Sequence, residues 1–584
     1  MKKLLIHSNN TSFSNTELFK LSEQFVFDVD FDKDVDFYIN DNLTEGNLKQ
    51  KIENCDLVFI KVSLSKNYLE YLGLRLAYHI RLTKCLGEKA NIPIVIVAEE
   101  SFQYLGLTYP EPSILFTKGI YLIKESLDDY NRTFKWFNDG RINPLDDFSS
   151  FVSSITINPP ANYLSHHSIA NEWSILRWAK VLGISTEREV LNDVRSNIES
   201  LLYYKYLQAK YPIEADPDKA AFKISVKGRI LYIDDEWNKG WNEVLSNYFS
   251  TSSTEIEFET LKYDFKDKSH QDILIECDKK IQSFKPDVVL LDLRLSDSDF
   301  INSHNSTHLT GYKVLEAIKS INPGIQVIIF TASNKVWNLL ELQANGADGF
   351  LLKESPELTV NSSYTFESLS SLNKQIKYCL SNAYLKDIWS IKKEIKNIFS
   401  KNPLTRYYPN DLRCLRGIQY QNLLLIELDS MYNILYSSNE NRYNYAMLIE
   451  FKILECIVEI FIPEKNRNGN WLFFDGSKVE YFYTEDNIVH SRNESLIFFD
   501  RNVGKRVVMK VPAFEYNSTR NKIDCLVEQK LNIENKSQVH KMIKSLIDYR
   551  NGFIHPKDRL KLKQLSRENI VEWLKCINQV ITKI

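Results

Sequence analysis

Side chains suited to ion binding and group transfer stand directly after apolar runs in the middle of the chain. The runs are RILYI, DVVLL, IQVIIF and DGFLL, each the length of a buried strand, with amphipathic stretches between them. This alternation predicts a doubly wound parallel sheet, in which the carboxyl ends of the strands line one crevice. The residues at those ends are Asp234, Asp235, Asp292, Thr331 and Lys353.

The chemistry expected of this group is metal binding and phosphoryl transfer. Three carboxylates at one place repel each other unless a cation neutralises them, and an all-oxygen site suits Mg²⁺. We predict that Asp234, Asp235 and Asp292 bind the ion and that Asp292 is the nucleophile toward phosphorus. Lys353 and the hydroxyl of Thr331 are placed to hold the phosphoryl oxygens.

In order, strand context and chemistry, residues 226–360 resemble the receiver domain of two-component response regulators. The resemblance makes Asp292 the phosphoacceptor and Phe350 the switch aromatic, and it implies a sensor histidine kinase or phosphotransfer protein as partner. The sequence departs from the family in two places. The stretch SDSDFINSHNSTHLTG after Asp292 is longer than usual, and Phe350 replaces the commoner Tyr.

The N-terminal segment, residues 1–150, repeats the pattern in weaker form. DLVFIKVSLS at 56–65 aligns with DVVLLDLRLS at 287–296, so that Lys61 occupies the position of Asp292. The acidic pair and Thr331 are likewise replaced, and Lys124 is expected to match Lys353; the replacing residues are His7, Ser8 and Ala98. Without carboxylates this segment is predicted to be a pseudo-receiver that acts by protein contact. The alternative is an unrelated α/β domain with similar buried strands.

The remaining segments are predicted to be mainly helical. Residues 151–225 carry Trp and Leu at helical spacing after two prolines and are expected to form a connector. The pair His166–His167 in this segment is interpreted as a capping or packing feature rather than a metal site. Residues 375–584 show long helical patterns with a β-rich insertion near 470–513. The expected architecture is therefore multidomain, with two doubly wound, flavodoxin-like units and an α-helical C-terminal domain.

A second candidate site lies near the C-terminus, where a helix beginning at Ser537 as N-cap is predicted. It ends in Arg550-Asn551-Gly-Phe-Ile-His555, which resembles the Arg–four-residue–His motif of the HEPN superfamily. Asn551 and His555 share a helical face, so Asn551 is expected to orient the imidazole. Pro556 disfavours helical geometry at His555 and should free its ring.

That resemblance implies metal-independent RNA cleavage, with His555 as general acid and base and Arg550 on the phosphate. The family builds one site from two such helices, so a homodimer is expected from a chain with one motif. The residues Lys557, Arg559, Lys561, Lys563 and Arg567 are expected to bind the RNA backbone. Lys557 stands where some family members carry a modifiable Tyr, which counts against a role as a modification target. The simpler alternative is a helix C-terminus that favours positive charge.

Length and composition limit the classes of protein to which this chain can belong. A length of 584 residues exceeds one hydrophobic core, and no segment approaches the roughly 18–20 apolar residues of a membrane span. Since the start MKKLLIHSNN is too short in apolar residues for a secretory signal, we expect a cytoplasmic protein. The eight cysteines are too scattered for a metal or disulfide framework. A net charge of −3 leaves nucleic-acid binding to a local patch.

These features together predict a phosphorylation-regulated endoribonuclease that resembles effector regulators of bacterial anti-phage two-component systems. The alternative from another class is a non-catalytic signalling adaptor whose helical domain binds RNA or protein. A DNA-binding output ranks last, because no basic recognition helix stands at the expected place.

Overall fold

The structure is a computed structural model, and it describes most of the chain. The described residues are 2–9, 22–29, 34–159, 167–187, 189–213, 222–301, 308–332, 336–356, 358–359, 361, 363–401, 412–462, 519–529, 533, 535–555 and 564–583, together with the strand segments between 464 and 508 given below. Among these residues, no helix combines the length and the apolar character that a bilayer span requires.

The N-terminal unit is a parallel five-stranded sheet in the order β2-β1-β3-β4-β5. The strands are β1 (Lys3–His7), β2 (Glu23–Val26), β3 (Leu57–Lys61), β4 (Ile94–Val97) and β5 (Ile120–Ile123). Every residue of β3 and β4 is buried, because helices cover both faces of the sheet. These helices span Val35–Thr44, Asn47–Glu53, Leu72–Leu82, Phe102–Thr108, Leu127–Asn138 and Phe148–Ser154.

The second α/β unit repeats this topology, with the sheet order β10-β9-β8-β6-β7. Its strands are β6 (Gly228–Ile233), β7 (Ile256–Thr260), β8 (Val288–Leu291), β9 (Gln326–Thr331) and β10 (Gly349–Leu352), and all pair in parallel. Its helices span Trp241–Ser252, His270–Phe284, Ser298–Ile301, Thr310–Ile321, Val336–Ala344 and Tyr364–Asn382. Both sheets therefore have the 2-1-3-4-5 order of flavodoxin-like folds, and the prediction of two parallel sheets is confirmed.

Three helices join the two α/β units: His167–Leu182, Glu189–Ser200 and Leu202–Lys210. We call the first of them the connector helix. Trp173 and Trp178 on this helix are fully buried in one hydrophobic core that continues from the N-terminal unit into the second. His167 is its first residue, while His166 lies outside the described residues. The two α/β units are thus packed through the connector into one continuous core.

The C-terminal region is helical and has its own core. Its helices span Tyr384–Lys401, Leu412–Tyr436, Arg442–Phe461, Thr519–Gln529, Lys536–Ile554 and Arg567–Lys583. Between the third and fourth of these lie short antiparallel strands: Glu464–Lys465, Trp471–Phe474, Val479–Glu485, Ile488–Ser491, Glu494–Ser495, Ile497–Asp500 and Lys505–Val508.

The expected N-cap Ser537 is wrong. The helix begins at Lys536, because the side chain of Asn535 accepts a hydrogen bond from the backbone N–H of Gln538.

Candidate phosphoryl-accepting site

The three predicted carboxylates meet at the carboxyl edge of the second sheet. Asp234 follows β6 and Asp292 follows β8, and the backbone N–H of Asp292 bonds the Ile233 carbonyl at 3.0 Å. One ligand oxygen from each of Asp234, Asp235 and Asp292 lies within 4.8 Å of the others. The Asp234 carboxylate is held in place by the Tyr232 hydroxyl at 2.6 Å and the Glu236 N–H at 2.7 Å. The sheet therefore brings the group together as predicted.

Lys353 joins this group from the end of β10. Its ammonium donates to Asp234 Oδ2 at 2.7 Å and to Asp292 Oδ2 at 2.8 Å, and its side chain is almost fully buried. Burial alone would lower the pKa of Lys353, but the neighbouring Asp234 and Asp292 outweigh it and raise the pKa. Lys353 is therefore a buried permanent cation between two acidic side chains.

The carboxylates exceed the positive charge available to them. Burial raises the pKa of Asp235 to about 9, with the charges of Asp234 and Asp292 adding to the effect. Burial also raises the pKa of Asp234, although Lys353 opposes the rise. One lysine cannot neutralise three carboxylates, and a divalent cation would relieve the repulsion. A compact set of hard oxygen donors fits Mg²⁺, which binds through a few carboxylates and keeps several waters.

Thr331 and Phe350 occupy the two strands beside Asp292. Thr331 ends β9 and is buried, and its carbonyl accepts the backbone N–H of Lys353 at 2.8 Å. Phe350 in β10 is half-buried and packs against the core of this unit. The carbonyl of Phe350 accepts a hydrogen bond from the amide of Gln375 at 2.6 Å.

The long stretch after Asp292 is tied at both ends by one buried carboxylate. Asp299 accepts from the N–H groups of Leu295 at 2.9 Å and Thr310 at 3.0 Å. Residues 302–307 of this stretch lie outside the described residues. The extra length is therefore closed at its base beside the acidic group.

A contact missed by sequence reasoning lies on the residue that follows Lys353. Glu354 is fully buried and forms an ion pair with Arg177 of the connector helix at 2.8 Å. The carboxylate also accepts from the hydroxyls of Thr359 at 2.9 Å and Thr365 at 3.0 Å. An Arg inside the apolar run ILRWAKVL was the available signal, since a buried Arg needs an acidic or carbonyl partner.

An aromatic wall connects the same helix to Lys353. Trp178 of the connector lies edge-on to Trp241 at 5.1 Å, and Trp241 lies edge-on to Phe330 at 4.8 Å between ring centroids. The ammonium of Lys353 stands 5.4 Å from the ring centroid of Phe330. The connector helix thus reaches Lys353 in two ways. The aromatic wall extends from Trp178 to Phe330 beneath the ammonium, and Arg177 binds Glu354, the residue after Lys353.

The N-terminal unit carries a charge-reversed version of this pair. Strand pairing sets Ile6 opposite Ile60 in the same way as Ile233 opposite Leu291, so Lys61 does occupy the Asp292 position. At the last strand, Val97 pairs with Ile123, whereas Phe330 pairs with Leu351.

It follows that Glu125, and not Lys124, corresponds to Lys353, and the expectation for Lys124 was wrong by one residue. Lys61 and Glu125 form an ion pair, while Lys124 is exposed. With a lysine at the position of Asp292 and a carboxylate at that of Lys353, this unit lacks, among its described residues, the arrangement of three carboxylates and one lysine that the second unit has.

The C-terminal motif lies at the end of the helix Lys536–Ile554. His555 is the C-cap, with an extended backbone and an exposed side chain, as expected from Pro556. Asn551 does not orient the imidazole as expected, because its side-chain oxygen accepts from Arg550 at 3.0 Å. The guanidinium of Arg550 also lies 4.5 Å above the ring of Phe451.

Of the basic residues expected to bind RNA, only Arg567 lies among the described residues. It donates to the Ser381 carbonyl at 2.8 Å and so joins the last helix of the chain to the second α/β unit. The other four, Lys557, Arg559, Lys561 and Lys563, lie outside the described residues.

Comparison with known proteins identifies receiver domains. Residues 7–123 match the family of inactive receiver domains, which confirms the prediction of a pseudo-receiver at the N-terminus. The chain is 31% identical over 110 residues to the regulatory protein LuxO of Vibrio vulnificus strain YJ016, covering 18% of this chain and 22% of that protein. It is also 31% identical over 94 residues to LuxO of Vibrio cholerae serotype O1, covering 16% and 18%. The chain thus spans about a fifth of the length of these curated relatives.

Two solved structures are also similar. One is the signal receiver domain of a LuxO repressor protein from Vibrio parahaemolyticus, with 22% identity, 28% of this chain, 97% of that chain and a TM-score of 0.19. The other is NtrX from Brucella abortus, with 16% identity, 34% of each chain and a TM-score of 0.19. The class defined by the fold, the site and the curated relatives is that of receiver-containing, response-regulator-like proteins. Within it, this chain carries an inactive receiver domain at residues 7–123.

Proposed function

We propose that this protein is a phosphorylation-controlled response regulator of the cytoplasm whose C-terminal helical domain cleaves RNA. The observation that carries the regulatory half is the group of three carboxylates bridged by Lys353 at the edge of the second sheet. In the first step an Asp292 oxygen attacks the phosphorus of a donor, a sensor histidine kinase or a phosphotransfer protein. A P–O bond forms as the P–N bond of the donor breaks, and the donor histidine keeps the electron pair.

The residues around Asp292 have distinct parts in this step. Asp234, Asp235 and Asp292 would hold Mg²⁺, which supplies charge neutralisation for the transferring phosphoryl group. Lys353 already lies 2.8 Å from the acceptor carboxylate, so its ammonium can follow the new phosphoryl oxygens without crossing the site. Thr331 at the end of β9 offers a hydroxyl donor from the neighbouring strand.

The connector provides a physical path out of the site. Phosphorylation adds up to about two negative charges, which draw Lys353 away from Asp234. Glu354 is the next residue and is held by Arg177. A shift of Lys353 would therefore strain the ion pair between Glu354 and the connector helix directly. We propose that this contact and the aromatic wall transmit the change to the rest of the chain.

For the output, we propose metal-independent cleavage by His555 and Arg550. His555 is exposed at a helix end, where its imidazole can take the proton of a ribose 2′-hydroxyl. Attack of that oxygen on the adjacent phosphorus breaks the bond to the 5′-oxygen, which leaves with the electron pair and takes a proton from the imidazolium, so that a cyclic phosphate and a free 5′-hydroxyl result. Asn551 already contacts Arg550 and would position its guanidinium for the scissile phosphate. A homodimer would pair two such helices, and infection-triggered RNA damage is the setting we favour.

The regulatory half is tested by labelling the purified protein with acetyl phosphate in the presence of Mg²⁺. Wild-type protein should gain one phosphoryl group and Asp292→Asn none. Asp297→Asn is a matched control, since Asp297 is acidic and near the site in sequence but outside the acidic group. Labelling of Asp292→Asn at the wild-type level would refute the assignment.

The output is tested by sequencing the RNA ends that the same protein produces with and without acetyl phosphate. Cyclic phosphate ends that survive EDTA and disappear in His555→Ala would support the proposed mechanism. The control is His308→Ala, which removes a histidine from the second α/β unit instead of the helix end. Cleavage that requires Mg²⁺ in the RNA reaction itself would contradict it.

One observation favours a second candidate, a non-catalytic adaptor that binds RNA or protein. Arg550 is stacked on Phe451 and bonded to Asn551, so both polar side chains have partners within the domain. An adaptor predicts that His555→Ala, in a strain carrying Asp292→Glu as a phosphomimetic, leaves toxicity and RNA integrity unchanged. The nuclease proposal predicts that His555→Ala abolishes toxicity and RNA damage.

A further inference from the structure

A basic cleft of about 310 Å³ lies between the inactive receiver and the connector segment. Three lysines, Lys84, Lys180 and Lys205, line it together with one carboxylate, Glu199. An adjoining cleft of about 200 Å³ shares Lys84 and Lys180 and adds Arg177. The cations therefore outnumber the acidic groups among the lining residues of both clefts.

Two of the lysines, Lys180 and Lys205, are incompletely neutralised. The Lys180 ammonium lies 3.8 Å from Glu199, at the outer limit of an ion pair. Lys205 is buried and donates to the Thr83 hydroxyl at 2.9 Å, and burial lowers its pKa to about 8, although Asp36 opposes the change. Positive charge gathered at a half-enclosed surface costs free energy unless an anion joins it.

Arg177 supplies a second and independent sign of a ligand. Its Nε donates to Glu354 and its Nη1 to the Tyr211 carbonyl at 2.8 Å, yet Nη2 is buried and has no hydrogen-bond partner among the described residues. Buried guanidinium N–H groups are normally paired, because leaving one unpaired loses the hydrogen bonds it made to water without replacement. Since Arg177 lines the smaller cleft, a movement of its guanidinium toward the cleft would let Nη2 donate to an anion bound there.

We propose that this double cleft binds a nucleotide, with its phosphates on Lys84, Lys180, Lys205 and Arg177. The wall of the smaller cleft contains Trp173, Leu176 and Ile213, which offer apolar surface for the base. The larger cleft alone reaches the lower end of the roughly 300–1,000 Å³ range of ligand pockets.

The site has a direct link to the receiver, because Arg177 serves both. A phosphate that draws the guanidinium toward the cleft weakens its hold on Glu354, one residue from Lys353. Binding in the cleft and phosphorylation of Asp292 are then thermodynamically coupled, and the coupling is reciprocal. The binding step itself does not require the function proposed above.

The test is calorimetric titration of the full chain with ATP, AMP and inorganic phosphate in EDTA, which removes Mg²⁺ binding at the receiver. The variant Asp292→Asn is titrated separately, and it must bind ATP as wild type does. Lys84→Glu with Lys180→Glu should weaken ATP binding at least tenfold. The matched control is Lys118→Glu with Lys135→Glu, two exposed lysines of the N-terminal unit that line neither cleft.

Several results would overturn the proposal. These are the absence of ATP binding to wild type, equal binding by the cleft variant, equal loss in the control variant, and loss in Asp292→Asn. Inorganic phosphate binding as tightly as ATP would also overturn it, because the site would then read a free anion and not a nucleotide. A folded cleft variant is verified by an unchanged thermal unfolding midpoint, and Lys84→Ala with Lys180→Ala serves if the midpoint falls.

Discussion

Replacing Arg177 by Met should destabilise the junction between connector and receiver in a way that depends on pH. The substitution keeps an unbranched side chain but leaves Glu354 with no cation in a fully buried place. Burial already raises the pKa of Glu354, and Arg177 is the largest opposing influence. Without Arg177 the carboxyl group would escape ionisation by taking up a proton.

The free-energy cost of protonating Glu354 sets the size of the destabilisation expected for Arg177→Met. Against an ordinary pKa of 4.5, holding Glu354 protonated at pH 7 costs up to about 3.4 kcal/mol at 1.36 kcal/mol per pH unit. At pH 5.5 the same step costs up to about 1.4 kcal/mol. The lost hydrogen bonds from Arg177 to Thr365 and the Tyr211 carbonyl add about 1 kcal/mol each, independent of pH. The range agrees with the 3–5 kcal/mol typical of a broken buried ion pair.

The direction of this pH dependence follows from the linkage between proton binding and folding. A carboxyl group whose pKa is higher in the folded than in the unfolded protein favours folding only when protonated, so its contribution is lost as pH rises above the unfolded value. The Arg177→Met penalty should therefore be larger at pH 7 than at pH 5.5, by up to about 2 kcal/mol.

The assay is urea unfolding followed by tryptophan emission, because Trp173 and Trp178 are buried on the same helix as Arg177. Lys180→Met, on the exposed side of that helix, is the matched control and should cost less than about 1 kcal/mol at either pH. Adding Glu354→Gln to Arg177→Met should remove the pH dependence. A penalty equal at both pH values, and unaffected by Glu354→Gln, would refute the reasoning.

Three further outcomes are expected. Glu450→Gln should stabilise the helical domain at pH 7, because Glu450 is fully buried with both carboxylate oxygens unpartnered among the described residues and burial raises its pKa. Thermal unfolding at pH 5 and pH 8 checks this, and the gain should be larger at pH 8. Lys61→Glu and Glu125→Lys should each lower the unfolding midpoint, whereas the double exchange should recover most of the loss. Lys353→Met should raise Mg²⁺ affinity severalfold in a calorimetric titration, because its ammonium competes for the acidic oxygens; a weaker affinity would contradict this.

The acidic site could be predicted because topology alone places it. In a doubly wound sheet, the ends of β6, β8 and β10 meet whatever the loops do, so the types of Asp234, Asp292 and Lys353 were sufficient. Both five-stranded sheets and the helical C-terminal region followed in the same way from hydrophobic periodicity.

Strand register was less accessible to sequence reasoning. Lys124 and Glu125 are adjacent in GIYLIKES, and a shift of one residue moves each to the other face of the sheet. Strand pairing between β4 and β5 decides the matter, and it leaves Lys124 exposed while Glu125 meets Lys61. The similarity of the two sequence segments had favoured Lys124 as the match to Lys353, whereas the buried Lys61 required an acidic partner, which is Glu125.

Long-range polar pairs were inaccessible for a different reason. Arg177 and Glu354 are 177 residues apart, and no periodicity links them. At the C-terminus, helical spacing predicted that Asn551 and His555 share a face, but the helix ends at Ile554 and His555 has an extended backbone, and spacing does not rank competing donors. The guanidinium of Arg550 reaches the Asn551 oxygen at 3.0 Å, and the imidazole therefore stays outside that contact.

The strength of the ion pair between Arg177 and Glu354 limits how far one phosphoryl group can shift a conformational equilibrium of this protein. Shifting a two-state equilibrium from mostly off to mostly on needs about 5.5 kcal/mol of differential binding, while one buried ion pair that is intact in one state and broken in the other contributes a difference of about 3–5 kcal/mol. The pair between Arg177 and Glu354 is therefore of the right order but falls short alone.

The aromatic wall is the nearest source of the remainder. Lys353 stands 5.4 Å from the ring centroid of Phe330, and the wall continues through Trp241 to Trp178 of the connector helix. Moving the ammonium would also forfeit part of this cation–π attraction, worth about 2 kcal/mol or more for a desolvated pair. Both contacts lie on the same helix, so a change at Asp292 would act on the connector as one rigid body.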